Sequence, residues 1–192
     1  MGVISLTRER VRLVLETKRL RLRPLTFADA GDLLEYHGDA EVVKYTPWVV
    51  RSLHDVEAAT LQYQRLPTAF LTEGDSIVLG WELKSTGKVI GQSNASLQSL
   101  VNQTVDLGWV INRSFWRQGY AFEATHEFMH HLAKQSVVRR LVANIDMRNP
   151  ESAGLAEKLG MRLEGKFKQA TYTKGEWCDM WLYALLSEDM IA

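Results

Sequence analysis

The sequence predicts a mixed α/β domain, with a mostly antiparallel central sheet flanked by helices. Three observations carry this. The chain has 192 residues, enough for one domain with a substantial core and too few for two ordinary ones. Its apolar residues change along the chain between alternation and helical spacing. Capping residues that open and close helices fall between the strand-like runs. No repeat, low-complexity tract or linker divides the sequence, so 1–192 is read as one unit with its core at about 17–187.

Taken in order, Arg19-Leu20-Arg21-Leu22-Arg23 alternates strictly, the mark of a strand with one wet face. Thr26-Phe27-Ala28-Asp29 and Ser52-Leu53-His54-Asp55 each set a hydroxyl three residues before an acid, which opens a helix. The second of these helices should run for about a dozen residues and end before Pro67. Strands follow near Ser76–Leu83 and Lys88–Leu97, joined by the turn-like Lys84-Ser85-Thr86-Gly87, and a third lies near Thr104–Ile111. Beyond the Arg117–Ala121 loop a long helix should reach about Gln135, followed by a strand at Arg139–Asp146. Asn149 as cap, Pro150 at the first helical position and Gly160 as terminator define another helix. Apolar, aromatic strands near Met161–Phe167 and Trp177–Leu185 close the sheet.

Composition narrows the function. Lysine plus arginine and aspartate plus glutamate both number 23, so the formal net charge is zero. That gives no general attraction to nucleic acid or to an anionic membrane, and neither is expected as a direct partner. Cys178 is the single cysteine, so no intrachain disulfide or cysteine-based zinc site can form. Met1–Arg8 has too short an apolar stretch for a signal peptide, and Leu6 breaks the myristoylation pattern. No apolar run nears the roughly 20 residues that span a bilayer. A cytoplasmic setting is expected.

The most informative segment is the loop before the long helix. The first turn of a helix leaves backbone N–H groups unpaired, and the macrodipole adds positive charge there. Gly119 removes the Cβ that would hold a ligand off the backbone, and Arg117 adds a cation. These features suit a phosphate or pyrophosphate, whatever nucleotide carries it.

Leu107-Gly108-Trp109-Val110-Ile111, followed by Phe115-Trp116-Arg117-Gln118-Gly119-Tyr120-Ala121-Phe122-Glu123-Ala124, resembles the central motif of the GNAT acetyltransferase superfamily. Trp116 stands where many members have glutamine or arginine, as in the branch that resembles ribosomal-protein alanine N-acetyltransferases. Asn149-Pro150-Glu151-Ser152, Glu157-Lys158-Leu159-Gly160-Met161 and the opening Thr17–Pro24 resemble the same branch, so the likeness spans most of the chain.

The resemblance implies a GNAT fold whose fourth and fifth strands splay apart, with acetyl-CoA as co-substrate and no metal. It implies main-chain contacts to the pantetheine arm from Trp109, Val110 and Ile111. Gln118, Gly119, Tyr120 and Ala121 would cradle the pyrophosphate, with Arg117 beside it. Asn149 and Ser152 would bond the pantetheine arm, and Lys158 would reach the phosphorylated ribose. The acceptor is a primary amine, with a protein N-terminus first and a small molecule such as a polyamine or antibiotic second. Dimers are common in the family, which leaves room for a homodimer. An amine arrives protonated, with a pKa near 8 for an α-amino group and about 10.4 for a lysine-like one. A carboxylate that accepts a proton through water is therefore expected, and the resemblance implies Asp106, since the family often carries an acid at this point of the strand. The tyrosine that many members use to protonate the thiolate is replaced by Ala156. Ser152 is the substitute acid, unless the thiolate, with a pKa near 8.5, leaves unassisted.

Other readings compete. His126-Glu127-Phe128-Met129-His130 matches H-E-x-x-H, but Ala121, Ala124, Phe128 and Leu132 form the apolar stripe, which turns both histidines toward water. Arg8 to Arg23 suggest either a ribosomal contact or a strand's wet face, and the second is favoured. Cys178 reads as structural. Tyr45, Trp48 and Trp81 are candidate walls of the acceptor site, against the plainer reading as core aromatics. A non-catalytic acyl-CoA sensor is the alternative from another class.

Overall fold

In a computed structural model that describes residues 13–191, eight strands form one sheet. These are β1 (Leu15–Glu16), β2 (Leu20–Arg23), β3 (Ser76–Leu83), β4 (Val89–Ser99), β5 (Thr104–Ile111), β6 (Arg140–Asp146), β7 (Arg162–Thr173) and β8 (Glu176–Leu186). Their spatial order is β1-β2-β3-β4-β5-β6-β8-β7, and all neighbours are antiparallel except β5 and β6. Six α-helices accompany them: α1 (Ala30–His37), α2 (Ala40–Val43), α3 (Leu53–Tyr63), α4 (Tyr120–Ala133), α5 (Pro150–Lys158) and α6 (Ser187–Ile191). The motifs read over Met1–Arg12 lie outside the described residues.

Local chemistry accounts for the boundaries. Thr26 and Asp29 close a capping box on a short 3-10 turn that runs into α1, and Ser52 with Asp55 caps α3. Asn149 accepts from the Ser152 amide, Pro150 opens α5, and Gly160 takes φ +87° beyond its end. The final hairpin is longer than its apolar residues suggested, because β7 runs on through Thr173 as an exposed edge paired only to β8.

The sheet has a core on each face. On one, Leu20, Leu22, Leu79, Trp81, Leu97 and Leu107 pack with Phe128, Met129 and Leu132 of α4 and with Ala153 and Ala156 of α5. On the other, Val78 and Val110 meet Leu25, Leu33, Tyr36 and Val56 from the helical layer of α1 and α3. The leucines of β2 are buried as alternation requires. Its arginines are not a bare wet face, however. Arg21 pairs with Glu16 and Glu82, Arg23 with Glu82 and Asp29, and Arg19 with Glu123.

Beneath α1 lies a polar cluster that sequence periodicity does not reveal. His37 is fully buried, with Nε2 3.0 Å from Gln92 Oε1 and Nδ1 3.1 Å from an Arg51 nitrogen. A guanidinium only donates, so Nδ1 accepts and Nε2 carries the proton. Tyr36 donates its hydroxyl to the same Gln92 oxygen. Burial first, and the Arg51 charge second, hold the His37 pKa down to about 4.

That pKa predicts a pH-dependent stability. Between about pH 6.5 and 4 the unfolded chain takes up a proton that the folded chain refuses, so stability falls as pH drops through this window. The loss is about 3 kcal/mol. Denaturant unfolding at pH 7 and pH 4.5 should show it, and His37→Gln should flatten that difference. An equal difference in both proteins would show that His37 is not its source.

Candidate active site

The site begins where two parallel strands part. β5 and β6 pair only at Thr104↔Arg140, Val105↔Leu141 and Asp106↔Val142. From there β5 continues against β4 and β6 continues against β8, so a wedge opens between them. The antiparallel register decides which backbone groups face it. The Asn112 amide bonds the Ile90 carbonyl, and the same phase makes Val110 and Gln92 a hydrogen-bonded pair. The amide and carbonyl of Val110 therefore point to β4, while those of Leu107, Trp109 and Ile111 project into the wedge. Among the three strand residues anticipated for main-chain contact, Trp109 and Ile111 are placed for it and Val110 is not.

The loop that follows is braced by its own side chains. Asn112 accepts from the Ser114 amide, Trp116 Nε1 donates to the Ile111 carbonyl at 3.0 Å, and Gln118 donates to the Ser114 carbonyl at 3.0 Å. Gln118 thus turns its side chain back into the loop, which leaves only its backbone to serve a ligand. Arg117 and Gly119 both take left-handed φ, +58° and +81°. Glycine adopts this freely; arginine there is strained, and such residues concentrate at ligand sites. Gly119 is the helix cap and offers no side chain, so the first amides of α4 stay open. Arg117 is exposed, with no ion pair among the described residues.

α5 brings the second motif to the same place. Trp109 Nε1 donates to Ser152 Oγ at 3.3 Å, which links the wedge to the start of α5. Asn149 uses its carbonyl oxygen as the cap of that helix. Lys158, at the other end, sets its ammonium 4.9 Å from the centre of the Phe122 ring on the first turn of α4. Ala156 is fully buried and carries no acid.

The opposite face of the wedge is polar. Asp106 shares it with Asn94 and Ser96 of β4 and Asn144 of β6. Asn144 Nδ2 donates to Asp106 Oδ1 at 2.9 Å. Burial pushes the Asp106 carboxyl above the usual carboxylate range, and the Asn144 bond offsets only part of this. Gly108 leaves room for the Asn94 side chain, whose amide would lie 2.7 Å from an added Cβ. Nearby Asp146 is neutralised by Arg148 through contacts of 2.9 and 2.7 Å. Arg148 also donates to Cys178 Sγ at 3.2 Å. Burial pushes the Cys178 thiol up, away from the thiolate a nucleophile needs.

The three aromatics separate. Tyr45 lies beside this face, 5.8 Å from the Arg148 guanidinium, and Lys174 at the β7–β8 tip donates to the Val43 and Lys44 carbonyls just before it. Trp48 stacks near His37 at 5.4 Å and Arg51 at 5.0 Å, with its Nε1 buried and unpaired. Trp81 lies on the other face of the sheet from Asp106. It is fully buried on the α4 face of the sheet, donating to Ser93 at 3.1 Å. On α4, His126 is exposed and stacks on Phe122 at 5.5 Å, and His130 is half-buried. Among the described residues no group of three ligating side chains converges on a metal-sized space.

Comparison with known proteins identifies the family and the fold. Residues 19–162 match the model of the acetyltransferase (GNAT) domain. The uncharacterized N-acetyltransferase YnaD of Bacillus subtilis is 29% identical over 90% of this chain and 96% of its own. The [ribosomal protein uS5]-alanine N-acetyltransferase of Escherichia coli is 26% identical over 91% of each. The crystal structure of a GNAT-family acetyltransferase from Bacillus anthracis superposes with a TM-score of 0.79 at 27% identity, covering 92% of this chain and 99% of that one.

The burial of Trp81 makes a prediction. Trp81→Phe strands the Ser93 hydroxyl and leaves a void, at a cost of about 1–3 kcal/mol in denaturant unfolding. The kinetic constants of the folded variant should match the wild type. A selective rise in acceptor KM would return Trp81 to the site.

Proposed function

Because the chain belongs to the GNAT acetyltransferase family and is an acetyl-CoA-dependent N-acetyltransferase, we propose that it acetylates the α-amine of a protein N-terminus in the cytoplasm. The observation that carries this reading is the wedge between β5 and β6, with a phosphate-suited loop at its mouth and the Asp106 carboxylate on its far face.

Acetyl-CoA supplies the activated acetyl group. The open amides and carbonyls of Trp109 and Ile111 suit the amide-rich pantetheine arm as a short added strand. The free amides at the start of α4 and Arg117 suit the pyrophosphate, with Lys158 close by. In the reaction the amine nitrogen forms a bond to the thioester carbon, and the carbon–sulfur bond breaks as the tetrahedral intermediate collapses. A backbone N–H on the open edge stabilises the oxyanion, a contribution of about 3–4 kcal/mol. Asp106, held by Asn144, takes the ammonium proton through water. Ser152, fixed by Trp109, relays the second amine proton to the departing sulfur, taking up one proton as it gives another.

The charge pattern favours an α-amine over a polyamine. An α-amine has a pKa near 8 and needs only a modest base, while a polyamine carries several ammonium groups. Asp106 offers one carboxylate, and Asp146 is already paired to Arg148. The uS5-alanine acetyltransferase supports the same class of acceptor.

Two variants test this. Asp106→Asn should lower kcat/KM by about 10²–10⁴-fold with acetyl-CoA affinity intact. In the wild type, kcat/KM should fall as the pH drops through the Asp106 pKa, which lies above 3.8. Gly119→Glu sets bulk and negative charge on the loop and should abolish acetyl-CoA binding in calorimetry. Full activity in the first or full binding in the second overturns the corresponding role. A mass-spectrometric screen of peptides and small amines identifies the acceptor, and acetylation confined to polyamines would reverse the choice of substrate.

A further inference from the structure

We infer that Arg19 and Glu123 are positioning residues for the pyrophosphate loop, forming a clasp that fixes the orientation of the peptide between Gln118 and Gly119. The inference rests on the cofactor reading of that loop. Glu123 lies in the first turn of α4, 104 residues from Arg19. Its carboxylate accepts from Thr17 Oγ1 at 2.7 Å, from the Arg19 amide at 2.7 Å and from Arg19 Nε at 2.6 Å. The same guanidinium donates through Nη1 to the Gln118 carbonyl at 3.0 Å and lies 4.0 Å from the centre of the Tyr120 ring. One side chain at the edge of β2 thus touches three residues of the loop and helix start.

The geometry has a definite effect on the loop. A trans peptide directs its carbonyl and its N–H to opposite sides. With the Gln118 carbonyl held on Arg19, the Gly119 amide faces away from β2. The flanking left-handed residues, Arg117 and Gly119, lack a regular ladder that would impose this orientation. Arg19 therefore contributes direction, while Glu123 cancels most of its charge.

This separates the clasp from simple electrostatic attraction. A purely Coulombic role for Arg19 predicts that Glu123→Gln, which adds net positive charge beside the loop, tightens the binding of coenzyme A. The clasp predicts the opposite.

The test is calorimetric titration of the full chain with coenzyme A, with each variant's melting temperature measured in parallel. Arg19→Met and Glu123→Gln should each weaken binding by about tenfold, the effect of one charge-assisted hydrogen bond. Arg19→Lys keeps an ion pair with Glu123 but lacks the second arm that reaches Gln118, so it should stay folded and still lose affinity. Arg21→Gln removes the same charge from a side chain paired with Glu16 and Glu82 instead, and should bind as the wild type does. Unchanged or tighter binding in folded Glu123→Gln overturns the clasp while Gly119→Glu still fails to bind. Unchanged binding in Gly119→Glu overturns the cofactor reading, and the clasp with it.

Discussion

Almost everything about this site follows from the short pairing of β5 with β6. Parallel strands that stay in register use all their edge groups on each other, and nothing remains for a ligand. Here three residue pairs hold the strands together, after which each is claimed by its other neighbour. A backbone edge left open inside a protein is costly unless something pairs with it. The wedge therefore suits an extended, amide-bearing occupant. It also separates the two faces of the sheet, with Trp109 and Ile111 on one and Asp106 on the other. In the proposed function the first serves the donor and the second the acceptor.

The loop and α5 complete this arrangement from opposite directions. The loop supplies open amides at the mouth of the wedge, fixed by Trp116 and Gln118 bonding back to Ile111 and Ser114. α5 contributes Ser152 through Trp109 and Lys158 beside Phe122. These links join segments that the sequence motifs present as separate, and they make one site of them.

The parts legible in the sequence were those governed by local chemistry. Capping residues marked α1, α3 and α5, alternation marked β2, and Gly119 with the following helix marked the loop. The features that escaped depend on long-range pairing. Alternation in β2 says that the arginines point away from the leucines, but not that Glu82, Asp29 and Glu123 await them. Trp81 looked like the other aromatics because burial is decided by the sheet face on which it lands. His37 gave no sign of its burial, since its partners Gln92 and Arg51 lie on other elements. Val110 shows the finest limit, because the direction of its backbone groups depends on a register no single strand can specify.

The contact between Lys174 and the carbonyls of Val43 and Lys44 spans some 130 residues of sequence. It joins the last hairpin to the loop that carries Tyr45, which lies beside Arg148. During synthesis the Arg117–Ala121 loop and α4 emerge well before that hairpin does. The wedge waits for that hairpin as well, because β6 parts from β5 to pair along its length with β8. The two faces of the wedge thus depend on contacts between residues far apart in sequence, a kind of contact that slows folding.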